Sequence, residues 1–330
     1  MRAVSVGFTP IGRYFFGSME ELAPMVLPVS RVIPAIYTVV GAITEILVKV
    51  KALTPEMVQD AVREGMLRFY GVYLKVDGED FIPAPRTFVR GREGLSRVRL
   101  INEVWSKGLL DRKGVLSPPK SRALTNFVIP LSSLPDVKED DLKEIRLSFS
   151  ERIGIKLRRK ARVVEEGLLF SRTDVEPETT VSFCVDVEGN EEYEESVSAL
   201  ERFIGNALVM RMGGESSHFI VRTYERTPLR ERALRGEFLG KTVLAVSHIP
   251  CYLTGNTLSV LLNEYVYEVE RVIGDVKPLG GWDMRSGKPK KAIAALTPGS
   301  VMFIGEKLNM KTEKEWYINL LGTTVEVRLD

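Results

Sequence analysis

Apolar and polar positions alternate over Arg2–Phe8, which predicts a first strand. A Gly- and Pro-containing loop follows (Thr9–Gly17, then Pro24 and Pro28). Pro34 stands at a first helical position, and the helix it predicts, Pro34–Val50, is apolar on nearly all sides. Thr54–Pro55 opens a second helix with Val58, Ala61, Val62 and Met66 at helical spacing. Tyr70, Val72, Leu74 and Val76 share a strand face, and Asp77–Gly78 is a two-residue hairpin signal before Phe81 and Pro83. From Pro83 to Pro135 the chain is rich in proline and arginine and reads as an inserted lobe rather than core. Asp136–Glu144 reads as a solvated acidic run.

Beyond it, Glu151–Arg172 predicts a hairpin and Val181–Val187 a strand. Glu191–Met210 predicts a helix with Tyr193, Val197, Leu200, Ile204 and Leu208 on one stripe, ended by Gly213–Gly214. Phe219–Tyr224, Thr242–Ser247, Gly299–Ile304 and Tyr317–Leu329 read as strands, and Asn256–Ile273 fits helix or strand. This order predicts an α+β fold with βαββαβ, ferredoxin-like (RRM-like) connectivity and an insertion after the first helix. The expected organisation is residues 1–225 as a first ferredoxin-like domain, carrying a lobe at about 52–150, and residues 226–330 as a second, smaller α+β unit.

Composition narrows the function classes. Apolar residues make up 44% and charged residues 27%, a globular balance with a sizeable core. The formal net charge of +2 gives no whole-molecule attraction to nucleic acid, so any such reading rests on local clusters. Two cysteines (Cys184, Cys251) and two histidines (His218, His248) leave no disulfide framework and no Cys/His metal site, and suit a reducing cytoplasm. Gln59 is the single glutamine beside many Glu, Lys and Arg, a thermophile-like balance. No secretory signal and no uninterrupted apolar run of about 18 residues is visible; Val32–Val50 carries Pro34, Gly41, Glu45 and Lys49 and reads as a buried helix.

Four constellations carry candidate chemistry. Arg152, Lys156, Arg158, Arg159, Lys160 and Arg162 put six basic residues in eleven. In a strand, Ile153, Ile155 and Leu157 face the core, while Arg152, Lys156 and Arg158 flank the bare Gly154, a pattern suited to a phosphate track. It equally fits a solvated face balanced by Glu151, Glu165 and Glu166. Arg86–Arg99 holds five arginines in fourteen residues with Phe88 as a possible stacking ring, and suits RNA or an acidic protein alike. Gly213 and Gly214 permit close approach of another backbone, or simply end a helix. Gly280–Val301 sets Trp282 beside Arg285, Lys288, Lys290 and Lys291, either to stack a base and hold phosphate or as a hairpin whose indole fills a core gap. No nucleotide-binding loop, Ser/His/Asp spacing or carboxylate pair on a strand is evident; Asp136–Glu144 and Glu188–Glu195 read as loop or helix-start acids.

Several of these stretches resemble a known family. Pro28–Ile43, with Gly41–Ala42, is similar to a proline-led helix of the repeat-associated mysterious proteins, the RNA-binding subunits of CRISPR systems. Arg152–Gly154–Ile155 with Glu166–Gly167–Leu168–Leu169–Phe170 resembles their hairpin, and Gly213–Gly214–Glu215–Ser216 their post-helix glycine loop. Gly280–Gly281–Trp282–Asp283, Gly287–Lys288–Pro289–Lys290 and Pro298–Gly299–Ser300–Val301 resemble the C-terminal signature of the third-subunit family of type III-B Cmr complexes. The loop continues as Ser216–Ser217–His218, poorer in glycine than many relatives, and Pro83–Pro135 has no counterpart.

The resemblance implies two ferredoxin-like domains and a non-catalytic subunit of an antiviral effector, without cofactor or metal. Such a subunit holds the 5′ tag of the CRISPR RNA and meets the large polymerase-like subunit and a backbone subunit, with no membrane partner. RNA contacts are expected at Arg152, Lys156, Arg158, Arg159, Lys160, Arg162, Gly213, Gly214, Trp282, Lys288 and Lys290. The alternative is an RNA-processing endonuclease of the same superfamily with His218 as general base.

Overall fold

The computed structural model describes residues 1–17, 32–91, 94–97, 127–157, 164–213, 217–254, 257–280, 282–283, 288–289, 291–308 and 316–328. Strand β1 (Arg2–Pro10) is followed by helices α1 (Ile36–Lys49) and α2 (Pro55–Arg63) and by β2 (Leu67–Val76). Next come β3 (Glu79–Pro83), β4 (Phe88–Gly91), β5 (Gly94–Arg97), β6 (Phe127–Pro130) and β7 (Lys143–Glu144). The long β8 (Leu147–Leu157) and β9 (Val164–Pro177) precede β10 (Val181–Gly189), α3 (Glu194–Ile204), β11 (Leu208–Arg211) and β12 (His218–Tyr224). The first sheet runs β11-β12-β1-β10-β2-β3-β6-β7, antiparallel throughout.

Local chemistry accounts for these elements. The Thr54 hydroxyl caps α2 by accepting from the Met57 N–H at 3.3 Å, with Pro55 at the first helical position. Asp77 and Gly78 both have positive φ (49° and 84°), as a two-residue turn joining β2 and β3 requires. Val4, Val6 and Phe8 of β1, with Val181, Phe183, Val185 and Val187 of β10, face α1, α2 and α3 across one continuous core. Each such side chain contributes roughly 1.5–3 kcal/mol on burial.

The observed order corrects several expectations. The interruption falls after β2, not after α1: α2 and β2 sit in the first core, and β2 pairs with β10 along its whole length. The hairpin β8–β9 is a separate two-stranded sheet. α3 ends at Ile204 because Gly205 takes φ +52°, and Leu208–Arg211 is an edge strand rather than a last helical turn. The described parts of Pro83–Pro135 are not a detached lobe. Ala84, Phe88, Phe127, Ile129, Leu131 and Leu134 are buried in a core that joins the two halves of the chain.

After α4 (Pro228–Arg232), the second half continues as β13 (Thr242–Ala245), β14 (Ile249–Thr254), β15 (Thr257–Leu262), β16 (Tyr265–Ile273), β17 (Val276–Leu279) and the short β18 (Trp282–Asp283). Then follow β19 (Lys288–Pro289), β20 (Ile293–Leu296), β21 (Val301–Leu308) and β22 (Thr324–Glu326). The second sheet runs β17-β20-β14-β15-β16-β21-β13-β22. Asn256–Ile273, ambiguous in the sequence, is the hairpin β15–β16, and its turn residues Asn263 and Glu264 have positive φ. Tyr317–Leu329 is largely a 3-10 turn, Trp316–Leu320, before β22. The helices of a ferredoxin-like second half do not occur among the described residues there, whose helical segments are the five-residue α4 and Trp316–Leu320. The chain is thus α+β with antiparallel sheets, helical on one side of its first half and nearly all strand in its second.

The two halves meet on the far face of β10. Ser182, Cys184, Asp186 and Glu188 alternate with the valines and are all buried. The Tyr73 hydroxyl donates to Asp186 Oδ1 at 2.9 Å, and Ser5 Oγ lies 2.6 Å from that hydroxyl. The Leu229 and Arg230 N–H groups donate to Asp186 Oδ2, both at 2.9 Å, so this carboxylate caps the first turn of α4. Glu188 accepts from the Tyr70 hydroxyl at 2.7 Å and from Arg230 at 2.7 Å, and forms a second ion pair with Arg235 at 3.3 Å. The strand therefore does carry a carboxylate pair, and Glu188 is a buried tie rather than a solvated acid. Burial opposes ionisation of Glu188, yet Arg230, Tyr70 and Arg235 hold its carboxyl below the usual range. For Asp186, burial wins over its donors and pushes the carboxyl up to about 6.

Two outcomes are expected. Gly41 of α1 is exposed, and a Cβ there would meet nothing within 4 Å. Gly41→Ala should raise the unfolding free energy by roughly 0.5–1 kcal/mol in denaturant titration; a decrease would show that the site has no free space. Because the folded carboxyl of Asp186 titrates near 6, above its unfolded value, its contribution is full at low pH and is lost as pH rises through about 6. The stability of wild type relative to Asp186→Asn should therefore fall by roughly 2–3 kcal/mol between pH 4 and pH 7. A difference independent of pH would show that Asp186 titrates as it does in the unfolded chain.

Candidate nucleic-acid interface

Residues 11–17, leaving β1, hold together the parts that the sequence singled out. Gly12 at φ +78° turns the chain back. Tyr14 then exchanges both backbone hydrogen bonds with Val175 of β9 (2.9 and 3.0 Å), fixing the root of the β8–β9 ribbon. Arg13 adds an ion pair to Glu176 at 2.8 Å. The Tyr14 ring is buried beside Phe16, Phe183 and Phe219, with centroids 5.1, 5.3 and 6.4 Å away. Its hydroxyl donates to the Val32 carbonyl at 2.8 Å, tying down the approach to α1, and burial drives its pKa far up.

The glycine turn between β11 and β12 packs on the same residues. Gly213 has φ +78°, and a Cβ there would stand 2.8 Å from the Phe15 carbonyl oxygen and 2.8 Å from the Phe16 ring. Ser217 Oγ accepts from the Phe15 N–H at 3.3 Å, and the Ile11 N–H donates to the His218 carbonyl at 2.8 Å. Close approach of another backbone, expected at this turn, thus occurs within the chain itself. From the second half, β17 leads to Gly280, whose carbonyl accepts from the Tyr37 hydroxyl in the first turn of α1. Ribbon root, glycine turn, α1 entry and the Gly280 turn therefore converge at one end of the first sheet.

Among the expected contact residues, Arg152 and Lys156 lie on β8, with Gly154 opposite Phe170. The register shifts between Ile155 and Leu157, an irregularity of the ladder at Lys156. Trp282 and Lys288 lie on the two-stranded turn β18–β19, where Trp282 pairs with Pro289 and Asp283 with Lys288. Arg158, Arg159, Lys160, Arg162, Gly214 and Lys290 lie outside the described residues. Of Arg86–Arg99, Arg86 is committed to an ion pair with Asp275, and its N–H donates to the Gly299 carbonyl, so it joins the halves.

His218 is exposed on β12, and Arg211 Nε donates to its Nε2 at 3.5 Å. Among the described residues no three His, Cys, Asp or Glu side chains gather into a metal-binding group. No helix of the described residues is long and apolar enough to cross a membrane. Tyr14, Phe16 and Tyr37 do not stand out in the sequence; the aromatic run Tyr14–Phe16, directly after a Gly-containing turn, is the available signal. A cleft of about 270 Å³ at the seam of the halves, lined by Arg68, Tyr70, Arg235 and Glu264 among others, shares no residue with this convergence.

The sequence pattern of the family described as CRISPR-associated protein (Cas_Cmr3) matches residues 26–325. The chain belongs to this family. That span takes in α1, β8–β9, the glycine turn and Gly280, the four stretches that meet here. Two chains from cryo-EM structures of type III-B Cmr-beta share the fold. One complex is bound to cognate target RNA and AMPPnP in state 1 (18% identity, TM-score 0.53, 90% of this chain and 85% of that one). The other is bound to cognate target RNA (16% identity, TM-score 0.55, 97% and 94%). No curated protein sequence matches the chain.

Gly213→Val combines a positive-φ strain of about 1–2 kcal/mol with contacts at 2.8 Å, and should cost about 3 kcal/mol or more in chemical denaturation. An unchanged unfolding midpoint would show that the glycine turn and residues 15–16 are not in contact.

Proposed function

We propose that this Cmr3-family chain is the non-catalytic subunit of a type III-B RNA-guided effector that holds the 5′ tag of the CRISPR RNA and bridges the large polymerase-like subunit to the backbone subunits. The observation carrying this reading is the convergence of the β8–β9 ribbon, the Gly213 turn and the Gly280 turn on residues 11–17 and the first turn of α1. A basic ribbon beside close-packed glycine backbone suits a single strand held by its phosphates. The solved structures of similar fold come from complexes bound to cognate target RNA, which is consistent with an RNA-facing subunit.

A passive role is supported by the surroundings of His218. Its Nε2 accepts only a long bond from Arg211, 3.5 Å, and the ring lies on an exposed strand face. The side chains bound to the tag are those of Arg152, Lys156, Arg158, Arg159, Lys160 and Arg162, with Trp282, Lys288 and Lys290 from the second half and the backbone of Gly213–Gly214.

Charge reversal of Arg152, Lys156 and Arg158 should weaken guide-RNA binding at least tenfold and flatten the salt dependence of log K by about 0.7 for each phosphate no longer neutralised. Normal binding and assembly of the triple variant would remove the ribbon from the site. Incubation of repeat RNA with the purified chain should give no cleavage, and cleavage abolished by His218→Ala would overturn the non-catalytic reading.

A further inference from the structure

The second face of the first sheet is covered by the other half over β10, β2, β3 and β6, a cover that reaches Tyr224 at the end of β12. Toward β11 it is open. Phe219 and Val221 of β12 and Met210 of β11 point into the helical core, so His218, Ile220, Arg222 and Tyr224, with Val209 and Arg211, face the opposite way. The strand registers build two rows across this face. One reads Lys75, Ser182, Thr9, Ile220, Val209, and the next Tyr73, Cys184, Gly7, Arg222.

Its chemistry is uneven in sign. Arg211, His218 and Arg222 are exposed, and neither β11 nor β12 carries a carboxylate. Arg222 forms no ion pair with a described residue. Lys75 pairs with Asp80 at 2.6 Å and lies 5.1 Å over the Tyr224 ring, and Asp186, two strands from β12 on this face, is enclosed by its own donors. Tyr224 lies over the bare backbone of Gly7, where a Cβ would stand 2.7 Å from its ring. The half-buried Thr9 offers a hydroxyl, held 2.6 Å from that of the buried Ser182, and Val209 is 58% exposed beside Ile220. Strand geometry sets the Cα atoms of Arg211 and Arg222 about 14 Å apart, too far for one phosphate to bridge. The face therefore suits a polymer: cations for successive phosphates, with flat apolar and hydroxyl surface between them for bases. It also begins where the Gly213 turn ends, since that turn joins β11 to β12.

We infer that the open face of β11, β12 and β1 is a path for single-stranded RNA continuing from the glycine turn, with Arg211 and Arg222 as its phosphate contacts. This rests on reading the chain as a guide-RNA subunit, but adds residues outside the four stretches that carry that reading.

The test uses the full chain and a fluorescein-labelled 20-nucleotide uridine RNA, with anisotropy followed across a salt series. Arg211→Glu with Arg222→Glu should weaken binding at least tenfold and flatten the salt slope by about 1.4, two phosphates at about 0.7 each. Val209→Lys, at an exposed position that folding tolerates, should tighten binding severalfold and steepen the slope by about 0.7. If the face variants match wild type while the Arg152/Lys156/Arg158 variant loses RNA, the path is wrong and the proposed function stands. If none of these variants changes RNA affinity, both fall. Loss of binding to labelled poly-glutamate with RNA affinity intact would make the face a protein-docking surface and overturn the inference.

Discussion

The molecule depends on two carboxylates placed where carboxylates are costly. Asp186 and Glu188 lie on the most deeply enclosed strand, with apolar packing on one face and the second half on the other. Removing them from water is tolerable because every oxygen meets a donor: two amides of α4, two phenols and two guanidinium groups. Hydrogen bonds of this kind are directional, and the apolar contacts around them are not. The carboxylates therefore set how the second half is seated, and the apolar core supplies the cohesion. The position of Gly280 against Tyr37 follows from that seating, because the loop carrying Gly280 enters from the second sheet.

At the other end of β10, the loop after β1 does the equivalent work with backbone and aromatic groups. Tyr14 contributes strand pairing, ring packing and a hydroxyl bond at once. This arrangement explains why a glycine is needed at 213: a side chain there would collide with Phe15 and Phe16. Any RNA at this end rests on a surface whose shape is fixed by internal packing, the condition under which phosphate contacts position a strand reproducibly.

Much of the first half was legible in the sequence. The strands flanking α1, the Asp77–Gly78 turn and the cap at Thr54 rest on local chemistry that the folded chain keeps. Less legible was whatever depended on partners distant in sequence. Leu208–Arg211 continues a helical stripe, yet Gly205 and pairing to β12 make it a strand. Glu188 looks like the start of an acidic run until Arg230 and Arg235, more than forty residues on, enclose it. A ferredoxin-like second half was implied by the family resemblance alone; Asn256–Ile273 is ambiguous by period, and the positive-φ pair Asn263–Glu264 divides β15 from β16. In the candidate site, family-like motifs marked loops that converge in the fold, but the aromatic hub joining them carries no charge and no motif.

The placement of β1 has a further consequence for how the chain is made. It is synthesised long before its neighbours: in the sheet it lies between β10 and β12, both of which come much later in the chain. Its partner β10 begins at Val181, roughly 170 residues later, a delay of about 10–35 s at ribosomal speeds of 5–20 residues per second. For that interval Val4, Val6 and Phe8 form an unpaired apolar strand on the nascent chain, the kind of segment that pairs with copies of itself. Production of the native protein is then a race between elongation and self-association. Slower translation or crowded polysomes should shift it toward aggregate without any change in the stability of the finished fold.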